Sequence, residues 1–131
     1  MYKFSKKSKK LILECDKRIQ DVLNEAIKYI DFSVIKGHRC RIEQNIAYNS
    51  GYSNLLYPHS KHNKDPSLAV DIQPYPFPRT NVRNEFTYLA GHIMAIAKSK
   101  GINLKWGGDW NRNNLVSDNN FNDLYHFEVV T

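Results

Sequence analysis

The side chains in this sequence that could bind a metal ion or move a proton fall into two groups: His59, His62 and Asp71 in the middle, and Asp109, Asp123 and His126 near the end. A hydrolytic zinc ion takes three imidazole or carboxylate ligands and keeps a fourth position for water. Two neutral imidazoles and one carboxylate leave such a site net positive, which keeps that water acidic. His62, Asp71 and His126 can supply the set if neighbouring strands carry Asp71 and His126 while His62 swings in from a loop. Asp123, three residues before His126, then stands near the ion without binding it, which is where a general base belongs. Spacings of this kind are common, and taken alone they leave solvated and capping roles open. His59 reads as a loop residue, and Asp109 as a turn or capping residue after Gly108.

Other chemistries find less support. No serine sits in a GxSxG elbow, and no glycine-rich loop is built to cradle phosphate. Of the two cysteines only Cys40 has a histidine nearby, His38, and neither lies in a CxxC pair, so neither a disulfide framework nor a zinc knuckle is expected. At 131 residues, 41% hydrophobic and 24% charged, the chain suits one compact domain over residues 1–131. Its six glycines and five prolines are too few for a fibrous or low-complexity protein. No apolar run approaches the roughly 20 residues that span a bilayer. The lysine-rich start gives way to only Leu11-Ile12-Leu13 before Glu14, too short for a secretory signal, so synthesis and folding in the cytoplasm are expected. A formal charge of +6 suits an anionic partner such as nucleic acid, a membrane surface or an acidic wall polymer, and equally a solubilising surface.

Periodicity supplies the elements that would position these residues. Ile19, Val22, Leu23, Ala26, Ile27 and Ile30 form one helical stripe, predicting a helix from about Ser8 to Tyr29. Phe32 to Ile35 reads as a short strand ending at Gly37, and Arg41 to Tyr48 as a short helix. All five prolines fall between Pro58 and Pro78, a long loop interrupted by the strand Leu68–Ile72. Phe86, Leu89, Ala90, Ile93, Met94 and Ala97 predict a second long helix, with Thr80 or Asn81 as N-cap and Gly101 as its stop. Ile102–Trp106 alternates like a half-buried strand, and Gly107-Gly108 allows a tight turn. A polar loop over 111–122 precedes a last strand from His126 to Val130. The order predicts an α+β fold, with helices packed on a small, mainly antiparallel sheet.

Four stretches occur in register: Ser60-Lys61-His62, Pro66-Ser67-Leu68-Ala69-Val70-Asp71, Trp106-Gly107-Gly108-Asp109-Trp110 and Asp123-Leu124-Tyr125-His126-Phe127-Glu128. Together they resemble the M15 family of zinc peptidases, which includes D-Ala-D-Ala carboxypeptidases and dipeptidases and the L-alanyl-D-glutamate peptidases that bacteriophages use as endolysins. The resemblance runs from about Phe32 to Val130. It implies the Hedgehog/DD-peptidase-like fold, Zn2+ as cofactor, His62, Asp71 and His126 as its ligands, and Asp123 as catalytic base. It also matches Gly37-His38-Arg39, with Gln44 five residues on, to the family's oxyanion-stabilising arginine; Arg41 is a rival for Arg39. The family's SxHxxGxAxD spacing is lengthened here by two residues, with Ser67 in the place of glycine, and a loop can absorb that while both ends stay fixed. Glu128 reads either as a group orienting a ligand or as a solvent-facing charge.

The resemblance implies a peptidoglycan peptidase cutting the L-Ala-D-Glu bond of stem peptides, a phage endolysin that acts in host lysis as a monomer. Its partner would be the bacterial wall, with neither nucleic acid nor a stable membrane association. It would be made in the host cytoplasm and reach the periplasm or wall through a holin-type pore. The alternatives are a D-Ala-D-Ala-cleaving enzyme, a wall-binding domain without catalysis and, from another class, a basic nucleic-acid-binding protein or nuclease using Lys6 to Lys10.

Overall fold

Four strands form the sheet that holds the two halves of the chain together, and a computed structural model describes residues 2–109, 112 and 123–131 of it. Trp110 and all of the expected polar loop except Arg112 lie outside the described residues. The strands are β1 (Phe32–Lys36), β2 (Ala69–Pro74), β3 (Leu104–Gly107) and β4 (Asp123–Val129). They run in the order β1-β2-β4-β3, every pair antiparallel. Val70 and Ile72 on β2 and Phe127 and Val129 on β4 turn to the core, so the period-two alternation of a strand sends Asp71, Gln73, His126 and Glu128 the other way. Asp71 and His126 are direct partners across the β2–β4 ladder. Residues opposed in this way hold their Cβ atoms about 5 Å apart, so the register alone brings the carboxylate and the imidazole together.

Helices cover the apolar face. The helix expected over 8–29 is two, α1 (Lys6–Leu13) and α2 (Lys17–Ala26). The break has a cause that apolar spacing does not carry. At Cys15 the backbone leaves the helix to pair with Ser67, the Ser67 amide donating to the Glu14 carbonyl at 2.9 Å and the Asp16 amide to the Ser67 carbonyl at 2.8 Å. Asp16 then caps α2, its carboxylate accepting from the Arg18 amide at 2.9 Å. Ile27 to Ile30 turn out of the helix towards β1. Helix α2 packs with α4 (Val82–Ser99) over Val70, Ile72 and Phe127. Asn81 takes the N-cap position of α4 but makes no side-chain cap bond. Gly101 ends α4 at φ 69°, its amide donating to Lys98 and that of Ile102 to Ala97, the paired bonds of a Schellman stop.

The remaining expectations shift by a few residues. Helix α3 (Arg41–Asn49) follows the predicted segment, β2 extends to Pro74, β3 begins at Leu104, and β4 begins at Asp123 rather than His126. A single turn of 3-10 helix at Lys61–Asn63, not foreseen, interrupts the proline-rich loop. No helix among the described residues is long and apolar enough to cross a membrane.

Helix α1 docks on β1, and its contact is polar at the centre: the buried Ser8 hydroxyl accepts from the Val34 amide at 3.0 Å. Removing the hydroxyl strands a buried donor, which costs about 2 kcal/mol. Ser8→Ala is therefore expected to lower the melting temperature by about 7 °C, and an unchanged thermal transition would show that α1 contributes nothing through this bond.

Candidate metal centre and active-site cleft

The turn that carries His62 forms because Ser60 caps it. The Ser60 hydroxyl accepts from the His62 amide at 3.2 Å, and the Asn63 side chain accepts from the Ser60 amide at 3.0 Å. His62 is thereby turned inward and buried. Asp71 Oδ1 lies 3.3 Å from His62 Nε2 and 3.3 Å from His126 Nδ1, and the two rings meet edge to face with centroids 5.1 Å apart.

Each ring uses its other nitrogen on an outer acceptor. His62 Nδ1 is 2.7 Å from the Gly37 carbonyl, which can only accept, so the proton resides on Nδ1 and the lone pair of Nε2 faces Asp71. His126 Nε2 donates to Glu128 Oε1 at 2.8 Å, which leaves Nδ1 facing the same point. Glu128 is held in turn by Lys61, whose ammonium lies 3.4 Å from Oε2 and also donates to the Val129 carbonyl. Outer acceptors of this kind fix the tautomer and orientation of metal-binding imidazoles.

The three inward atoms fit a small cation. Asp71 Oδ1 is buried and accepts no hydrogen bond, and it, His62 and His126 offer donor atoms within 4.8 Å of one another. A tetrahedral ion with bonds of about 2.0–2.1 Å to nitrogen and oxygen has ligand-to-ligand edges of about 3.3–3.4 Å, the separation that both histidines keep from Asp71. Two imidazoles and one carboxylate with one position left over suit catalytic zinc.

The charges in the site are strongly coupled. Burial alone would raise the Asp71 carboxyl, but His126 and His62 outweigh it and hold the group well below the usual carboxylate range. Burial alone would lower His126, yet the Asp71 and Glu128 carboxylates beside it outweigh that and lift the imidazole to about 9. Asp123 shifts upward, first through burial and then through the Asp71 carboxylate, with His126 opposing.

Asp123 and Arg39 both border the same cleft, a hollow of about 780 Å³ that is also walled by Gln73, Tyr125 and the 52–55 rim. Arg39 Nη2 is 3.7 Å from Asp71 Oδ2, and its Nη1 donates to Gln44 Oε1 at 3.0 Å. Arg41 instead lies exposed over the Tyr57 ring, 5.5 Å from its centroid. His59 is exposed at the cleft edge, outside the metal-binding group. The Asp109 amide donates to the Trp106 carbonyl in the turn after β3. Sequence reasoning missed the Gly37 carbonyl, because a main-chain acceptor is not encoded in residue type. It also missed Lys61, although that residue sits inside the Ser-Lys-His stretch.

Gly107 places Asp123. The two are ladder partners, and a Cβ on Gly107 would sit 2.1 Å from the Asp123 carbonyl oxygen. Neither Gly107 nor Gly108 has a positive φ, so glycine is needed there for room rather than for the expected backbone freedom.

A buried pair of imidazoles with a carboxylate between them, and a second acid in the same open cleft, has the make-up of a metallopeptidase centre. The sequence matches the phage L-alanyl-D-glutamate peptidases over residues 1–130, and the chain belongs to that family. It is therefore a peptidase. The fold is similar to that of the Serratia marcescens L-Ala D-Glu endopeptidase ChiX, known from a crystal structure, with a TM-score of 0.73 at 23% sequence identity over 97% of this chain and 89% of that one. A search of curated proteins finds no match.

Two outcomes follow from this geometry. A pKa raised from 6.5 to about 9 adds stability that is fully present below 6.5 and is lost as pH rises through 9, so in chelator the melting temperature should fall across that window. The fall should vanish in His126→Gln; its persistence there would assign it to another group. Gly107→Ala should displace Asp123, cutting peptidase turnover roughly 100-fold while uptake of added zinc, measured by atomic emission, matches that of the wild type. Loss of zinc together with activity would instead mean that the whole of β4 has moved.

Proposed function

We propose that the protein is a zinc-dependent peptidoglycan peptidase that hydrolyses the L-Ala-D-Glu bond of stem peptides and serves a phage in host lysis. The observation that carries the metal assignment is the buried Asp71 oxygen placed 3.3 Å from two imidazole nitrogens, each with its other nitrogen already engaged. Family membership supports the bond. His62, Asp71 and His126 would hold the ion, which when bound acidifies a water molecule and polarises the scissile carbonyl.

The chain's own groups carry the rest. Asp123 takes the proton of the attacking water and returns it to the leaving amine, and its upward-shifted pKa strengthens it as a base. Arg39, braced by Gln44, faces the charge that develops on the carbonyl oxygen, in a cleft where partial exclusion of water enlarges that help. Glu128 and Lys61 keep His126 aimed.

One catalytic domain of this kind acts as a monomer and finds an anionic wall partly by its +6 charge. The reading has the enzyme made in the host cytoplasm and reaching the wall through a pore that another protein opens.

Purified protein loaded with zinc should release new N-terminal D-Glu from isolated peptidoglycan, identified by mass spectrometry, and a chelator should abolish the release. Freed D-alanine would reassign the bond. Asp123→Asn should cut kcat by roughly 10²–10⁴ while zinc stays bound, and a variant with normal turnover would remove Asp123 from the base role.

A further inference from the structure

We propose that the exposed apolar rim at residues 52–57 is a subsite for the glycan strand of peptidoglycan beside the peptide-cleaving cleft, an inference that rests on the function proposed above. Helix α3 has its polarity reversed. Its buried side chain is Gln44, whereas Ile42 and Ile46, one turn apart on the same face, are 70% and 59% exposed. The rim folds back on this helix, the Tyr52 amide donating to the Ala47 carbonyl at 2.8 Å and the Tyr57 amide to Asn45 Oδ1 at 3.3 Å. It leaves Tyr52 87% exposed, with Leu55, Leu56 and Tyr57 also open to solvent.

This surface continues into the cleft, whose wall includes Tyr52 and Leu55. One side chain ties them: Gln44 Nε2 donates to Ser53 Oγ at 2.9 Å and to the Leu55 carbonyl at 2.6 Å, while its Oε1 accepts from Arg39. The group that fixes the oxyanion-facing arginine thus also fixes the rim.

Substrate chemistry selects the occupant. In a stem peptide still attached to the wall, a single L-alanine separates the scissile carbonyl from the lactyl group of the sugar, and one residue spans about 3.6 Å. The sugar therefore meets the cleft wall close to the reacting carbon. The rim, which walls the same cleft as Arg39, offers exposed apolar surface within that reach. N-acetyl sugars present apolar CH faces and acetyl methyls, which stack on tyrosine, together with hydroxyls within reach of its polar tip. A second copy of the chain seated on Tyr52 and Leu55 would cover the cleft mouth and shut out a polymer.

The test compares kcat/KM of the zinc-loaded full chain on two soluble substrates, the free stem peptide and the same peptide on its N-acetylglucosaminyl-muramoyl disaccharide. The expected result is a preference for the disaccharide form, expressed in KM, that falls roughly 5- to 10-fold in Tyr52→Ala and is largely restored in Tyr52→Phe. Equal use of both substrates by the wild type, or a preference unaltered in Tyr52→Ala, would overturn the proposal. So would a concentration-dependent dimer in sedimentation that Tyr52→Ala abolishes, which would give the rim to a second copy. Cleavage of neither substrate would instead remove the underlying function, and that failure is distinct because no ratio could then be formed.

Discussion

A carboxylate oxygen buried between two imidazole nitrogens is tolerable only if something positive lies among them. Asp71 Oδ1 has no hydrogen-bond donor of its own, and both neighbouring nitrogens approach to 3.3 Å. Taking a carboxylate out of water without compensation costs several kcal/mol. Within the chain the compensation comes from the Arg39 guanidinium, 3.7 Å from Oδ2, and from a proton, which is why His126 is pushed up to about 9 against its own burial. A divalent ion performs the same service more strongly and competes with that proton for the site. Much of the surrounding structure is the set of supports needed to hold three mutually unfavourable ligand atoms at one point.

Those supports come from separate parts of the sequence. The β2–β4 register sets Asp71 opposite His126, the Ser60-capped turn brings in His62, and the turn after β1 lends the Gly37 carbonyl. Ser67 donates to that same carbonyl at 3.2 Å and to the Ala69 carbonyl at 2.6 Å, so this residue is built into the site's scaffold. Its backbone also pairs with the link between α1 and α2. The segment between His62 and Asp71 is thus tied down while both side chains stay in one cluster.

What could be read from the sequence follows from the kind of information each feature carries. The apolar periodicity of α4 and the alternation around Val70 and Phe127 report burial directly, so those elements and the α+β class were legible. The break at Cys15 to Asp16 was not, because Ile12 and Ile19 keep helical spacing across it and the cause is a backbone bridge to a residue some fifty positions away. The grouping of His62, Asp71 and His126 came from motifs held in register, since one His or Asp spacing says little. Arg39 and Arg41 were inseparable as letters; the fold distinguishes them by turning one towards Asp71 and laying the other on Tyr57. Gly107 and Gly108 suggested a bend, whereas the need at Gly107 is for space beside the Asp123 backbone.

The ligand atoms lie on two adjacent strands and on a turn that no ladder joins to them, so an ion there is a clasp across the sheet as well as a reagent. Binding to the native chain alone adds stability in proportion to the logarithm of free ion over its dissociation constant. Catalytic competence and resistance to unfolding would then rise and fall together. The chain would keep its shape for about as long as it keeps its ion, and protease survival would report on the occupancy of the centre as faithfully as turnover does.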